Sequence, residues 1–176
     1  MRLGLIAAAA VLSSNLGAAL ADEAPTAPAA TPLQPVLQPL AYLIGKRSCA
    51  GTFLKSGKAI TSSETISPEL SGHWLVLRHE DTPPFRFDAV EMWGYDPQKQ
   101  RFVAYMYDSS GGVRQYDSPG WNGDSFTWTD INTSAGKRDR FVFEKHPDSA
   151  YQFTYETSAD GVTWTAGDSL LCKPAT

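Results

Sequence analysis

Between Lys46 and Leu171, apolar and aromatic residues recur at every second position in short runs, and nearly every interruption is a Gly, Pro, Asn or Asp turn. A period of two places alternate side chains on opposite faces of a strand, which restricts such a chain to an all-β, antiparallel fold. The runs fall near 47–54, 59–67, 73–81, 86–95, 100–108, 112–117, 124–130, 138–145, 150–157 and 162–171, about ten strands. Ser56-Gly57, Asp96-Pro97, Ser110-Gly111-Gly112, Asn122-Gly123, Pro147-Asp148 and Asp160-Gly161 break them, and the last pair suits a tight type I′ hairpin. Connections this short make sequence neighbours pair up-and-down, and no helix is long enough to cover a sheet face. Closure into a barrel removes the exposed edges.

The start of the chain has a different character. Arg2 precedes an almost wholly apolar or small run from Leu3 to Leu20, ending in Ala19-Leu20-Ala21, the small-x-small pattern of a cleaved export signal. Ser13, Ser14, Asn15 and Gly17 interrupt the run and no basic flank follows it, so 1–21 reads as a signal peptide rather than a membrane anchor. The expected destination is the periplasm or the exterior, with no membrane insertion after cleavage. Residues 22–38 hold Pro25, Pro28, Pro32 and Pro35 among Ala and Thr and read as a tether. Pro39 then stands at a helix-starting position and Gly45 at a helix-ending one, predicting a short helical plug at one mouth of a barrel domain spanning 39–176.

A formal net charge of −4 with scattered charges excludes nucleic acid as a partner. The one basic cluster, Lys137, Arg138 and Arg140, is interrupted by Asp139 and reads as the solvated face of a strand. Export makes Cys49 and Cys172 candidates for a disulfide, and they lie in the first and last strands, which adjoin only if the sheet closes. Two such cysteines are too few to hold zinc, and neither a metal nor a cofactor is expected.

All Phe, Trp and Tyr residues except Tyr42 lie beyond Cys49. In Phe141-Val142-Phe143 and in Tyr151-Gln152-Phe153-Thr154-Tyr155 the aromatics share one face. A ten-stranded barrel is wide enough for such groups to line a cavity, the alternative being that they fill it. The expected lining is Trp74, Glu91, Trp93, Tyr105, Tyr107, Trp128, Phe141, Phe143, Phe153, Tyr155 and Trp164. A one-residue slip of register turns a whole strand's set outward.

Three groups of residues carry a family resemblance. Leu43-Ile44-Gly45 with Gly51, Gly94-Tyr95-Asp96-Pro97, and Ser158-Ala159-Asp160-Gly161-Val162-Thr163-Trp164 together resemble the exported bacterial proteins of domain of unknown function 1579. That resemblance covers roughly residues 38 to 173 and implies a lipocalin-like barrel. Arg47 stands where those chains usually carry Trp in a Gly-x-Trp start. The architecture is also similar to nitrobindin, which holds haem through one His in its last strands, whereas the histidines here are His73, His79 and His146. The Ser158-x-Asp160-Gly161-x-Thr163-Trp164 segment looks like a single, shortened Asp-box, which implies a hairpin with Trp164 packed inward.

No Gly-x-Ser-x-Gly, His-Glu-x-x-His or phosphate loop is present. Glu91 alternates with Ala89 and Trp93, so it is expected to point into the lumen, either as an acid or base raised in pKa by desolvation or in a cross-strand ion pair with Arg78. The reading that follows is a disulfide-closed lipocalin-like barrel binding a small apolar or amphipathic molecule. Two others accompany it: an enzyme using Glu91, Arg78 and Tyr105 on a small substrate, and a solid barrel acting through its outer surface.

Overall fold

The computed structural model describes residues 31–132 and 138–175. Its strands are β1 (Gly45–Phe53), β2 (Ala59–Glu69), β3 (Trp74–Asp81), β4 (Asp88–Asp96), β5 (Arg101–Asp108), β6 (Val113–Ser118), β7 (Trp121–Asn122), β8 (Ser125–Asp130), β9 (Arg138–Lys145), β10 (Tyr151–Ser158) and β11 (Thr165–Pro174). Ten of them form a closed antiparallel barrel in which each strand pairs with its neighbours in sequence. The pairing of β1 with β11 joins the two ends of the chain, and that of β6 with β8 completes the ring. The two-residue β7 pairs only with β8 and has no counterpart among the expected strands.

Closure puts Cys49 directly opposite Cys172 in the β1–β11 ladder, and the two form a disulfide across a sequence separation of 123. Strand direction then sorts the connections. The chain enters β1 from a 3-10 helix, so that end of the barrel also holds the β2–β3, β4–β5 and β9–β10 turns, while β1–β2, β3–β4, β5–β6 and β10–β11 connect at the other.

The helix runs from Pro35 to Leu43, starting four residues before the expected Pro39. A 3-10 helix has three residues per turn, so Leu37, Leu40 and Leu43 stack on one face, and all three are fully buried in the barrel mouth. Burying each such side chain contributes about 1.5 to 3 kcal/mol. The packed chain begins earlier still: Leu33 lies against the core, and the Gln34 amide donates to the Gly72 carbonyl at 3.0 Å. Gly72 is required there, because it has φ +77° and a Cβ would fall 1.9 Å from the Pro32 carbonyl oxygen. The last residues of the expected 22–38 tether therefore belong to the plug. The expected signal peptide lies outside the described residues, and among those described no helix is long and apolar enough to cross a membrane.

Side-chain bonds latch the plug. The Tyr42 hydroxyl points at the carbonyls of Ala150 (2.5 Å) and His146 (2.8 Å), and the Trp121 indole donates to the Pro39 carbonyl at 2.6 Å. Arg47 is buried over the Tyr151 ring and donates to the Tyr42 and Ile44 carbonyls, so the guanidinium ties the start of β1 to the plug. Above the plug the lumen is filled: Trp93, Trp128, Phe126, Tyr116 and Leu75 are all fully buried. The Trp93 and Trp128 rings lie 5.5 Å apart and Phe126 and Trp128 5.0 Å apart, within the range of favourable aromatic contacts.

Candidate functional site

Toward the open end the filling stops. A cavity of about 390 Å³ remains, with Phe53, Phe85, Phe87, Phe141, Phe153 and Tyr155 among its walls. Phe141 and Phe153 are stacked, with centroids 5.5 Å apart and planes at 15°, because β9 and β10 place them on the same inward row. The lower half is solid and the upper half is open, so neither a wholly filled nor a wholly empty barrel describes the lumen.

Polar groups are set into this apolar wall in two clusters. On β2 and β3, Glu64 opposes His79 across the ladder. Glu64 Oε1 lies 3.1 Å from His79 Nδ1, Asp81 Oδ1 lies 3.0 Å from Nε2, and the Tyr151 hydroxyl donates to Glu64 Oε2. With an acceptor at each nitrogen the ring carries both protons as an imidazolium. Burial opposes that charge, but the bonds to Asp81 and Glu64 outweigh it and raise the pKa to about 10. On β6, Arg114 donates to Asp108 at 2.8 Å and to Asp139 at 3.4 Å.

Glu91 lies near both clusters but is hydrogen-bonded to neither. It is 7% exposed, and its Oε2 accepts the Trp93 indole proton at 2.7 Å, two residues along the same inward row. Desolvation raises its pKa from 4.5 to about 7 despite that bond. Asp168 on β11 also lines the cavity, and its Oδ1 is buried without a hydrogen-bond partner. Burial, with Asp81 nearby, moves its pKa from 3.8 to about 6.

Of the residues expected to line a ligand site, Glu91, Phe141, Phe143, Phe153 and Tyr155 border the cavity. Trp93 and Trp128 face inward but are packed in the filled half. Trp74, Tyr105 and Tyr107 are on the outer face: Trp74 covers Gly94, where a Cβ would meet its ring at 2.6 Å, Tyr105 packs beside Trp74, and Tyr107 is 52% exposed. The expected parity of β5 is thus reversed. Ala104 takes the inward position opposite Trp93, where a small side chain leaves room for the indole.

Arg78 is exposed on the outer face and pairs in register with Val90, so the expected Glu91–Arg78 ion pair does not form. Trp164 lies over the Arg140 guanidinium at 4.2 Å in the β10–β11 connection rather than inside. That connection is a loop, not a two-residue hairpin. Asp160 accepts from the Thr163 and Val162 amides and the Ser158 hydroxyl, which hold its carboxyl well below the usual range.

His79, Asp81, Glu64, Arg114 and Asp168 were absent from the sequence-based lining. His79 could have been found, since it continues the inward row of Leu75 and Leu77. His73 and His146 are exposed at the plug end. Glu64 also lies close to the sulfurs of Cys49 and Cys172, but these are bonded to each other and offer no thiolate to a metal.

No family model and no curated protein matches this chain. What the structure shows is the architecture itself, a closed ten-stranded antiparallel barrel with a short N-terminal 3-10 helix at one mouth.

Proposed function

We propose that this protein is an exported, periplasmic or secreted, binding barrel that holds a small amphipathic molecule in the upper lumen. The observation that carries the reading is the cavity itself: about 390 Å³, walled by phenylalanines, floored by a solid core and bordered by a few enclosed polar groups. That is the usual composition of a small-molecule site. Each ~100 Å² of ligand apolar surface buried there contributes about 2.5 kcal/mol before ordering costs. The neutral dye N-phenyl-1-naphthylamine is expected to bind the folded protein with micromolar affinity. Phe153→Ala is expected to weaken its binding, whereas Lys99→Ala, on an exposed side chain, is not. A folded protein that leaves the dye's emission unchanged at saturating concentration would refute the reading.

One observation favours a second reading. A carboxyl raised to about 7 in an apolar pocket is poised for proton transfer near neutral pH. On that reading Glu91, without Arg78 and Tyr105, which face outward, serves as acid or base on the bound molecule. Glu91→Gln then abolishes turnover while binding persists.

A further inference from the structure

We infer that the molecule held in the lumen is a cation, an ammonium or guanidinium group on an apolar body, which neutralises the cavity carboxylates Glu91 and Asp168. This rests on the ligand-binding reading above and assigns its chemical class.

The argument is a charge inventory of the site. Each of the two enclosed cations is already bracketed by two carboxylates: His79 by Glu64 and Asp81, Arg114 by Asp108 and Asp139. Arg86, the remaining cation on the cavity's border, is exposed at the mouth and solvated. Two carboxylates are left over. Glu91, 7% exposed, receives a single hydrogen bond from a neutral indole on Oε2, and among the described residues nothing donates to Oε1. Asp168 has a buried oxygen with no donor.

An anionic head group that passes the solvated Arg86 at the mouth meets, inside, cations already bracketed by carboxylates and two further carboxylates that repel it. A neutral one leaves both carboxylates either charged and unpaired or protonated. A cation supplies what is missing, because a buried carboxylate is stabilised chiefly by an opposite charge or by charged donors. The wall suits the same ligand, since the stacked Phe141 and Phe153 and the neighbouring Tyr155 present aromatic rings that attract a desolvated cation.

The test compares three amphiphiles of one chain length, decylammonium, decanol and decanoate, each below its micelle concentration. Each is titrated by calorimetry into the mature protein at about pH 8, above the values of about 7 and about 6 to which burial raises Glu91 and Asp168. Decylammonium is expected to bind about tenfold or more tighter than decanol, and decanoate weakest, in keeping with a charge-assisted contact. In the Glu91→Gln, Asp168→Asn double variant, shown to be folded by its near-ultraviolet circular dichroism, the ratio of decylammonium to decanol affinity is expected to fall close to one. If decanol and the naphthylamine dye bind but decylammonium binds no tighter than decanoate, the charge assignment is overturned and the binding reading stands. A preference for the cation that persists in the double variant overturns the assignment to these two residues. If none of the three amphiphiles nor the dye binds, both readings fall.

Discussion

At the scale of single residues, the lumen holds two ionisable groups whose pKa values are both raised, Glu91 by desolvation and His79 by its carboxylate partners. For Glu91 the folded state raises the pKa from 4.5 to about 7 by desolvation. Below about pH 4.5 both states hold the proton, and between 4.5 and 7 only the folded state does, so stability falls as pH rises through that window. Glu91→Gln keeps an acceptor for the Trp93 indole without the charge. It is expected to exceed the wild type in stability above about pH 7, by on the order of 3 kcal/mol, and to match it near pH 4 in urea melts at each pH. His79 has a dependence of the same sign in a higher pH window. Its pKa rises from 6.5 to about 10, so its stabilising contribution is complete below 6.5 and is lost as pH climbs through 10. Replacing it with Gln leaves Glu64 and Asp81 buried without their cation, with an expected loss of about 3 to 5 kcal/mol at neutral pH by denaturant unfolding. Stability unchanged by His79→Gln would mean that these carboxylates are not held as drawn.

At the scale of elements, period two located all ten barrel strands, with boundaries displaced by at most a few residues. The facing of β5 and the extent of the plug were less legible. In Phe102-Val103-Ala104-Tyr105-Met106-Tyr107 both rows are apolar, so alternation alone cannot say which faces inward; the size match of Ala104 to Trp93 decides it. The plug was legible in part, because Leu37, Leu40 and Leu43 recur every third residue, the period of a 3-10 helix, but prolines dominate the segment and resemble a linker. Leu40 is fully buried, so Leu40→Ala is expected to cost about 2 to 5 kcal/mol, read as a lowered denaturation midpoint. A shift below about 0.5 kcal/mol, the range of surface substitutions, would place the helix off the barrel mouth.

At the scale of the whole molecule, closure is a non-local event that joins β1 to β11. The Cys49–Cys172 disulfide ties those strands across 123 residues, and in the chain-entropy model removing it costs about 4 to 5 kcal/mol. The Cys49→Ser, Cys172→Ser variant is therefore expected to unfold at markedly lower denaturant while retaining the wild-type far-ultraviolet spectrum in its absence. Closure also separates the two ends. One is sealed by the latched helix, while Leu54, Val113 and Val162 stand exposed in or beside the connections at the other, around the opening to the cavity. A molecule reaching the lumen therefore enters from the end opposite the chain termini of the barrel.

The sequence by itself determined the all-β class, the number and order of barrel strands and the cysteine pairing, because alternation and turn chemistry are local and an up-and-down order follows from short connections. Phe141, Phe143, Phe153 and Tyr155 were legible on the inner face because aromatics recur at every second position there, and Glu91 because it shares its row with Ala89 and Trp93. Only the tertiary structure decided which charges meet. Glu64 with His79, Arg114 with Asp108 and Asp139, and Asp168 with one oxygen unbonded depend on cross-strand register and on the closing of a ring, and residues far apart in sequence leave no periodic trace of such meetings. The cavity is likewise a tertiary property. Its volume is the space that the side chains of ten strands fail to fill, and no single strand encodes that difference.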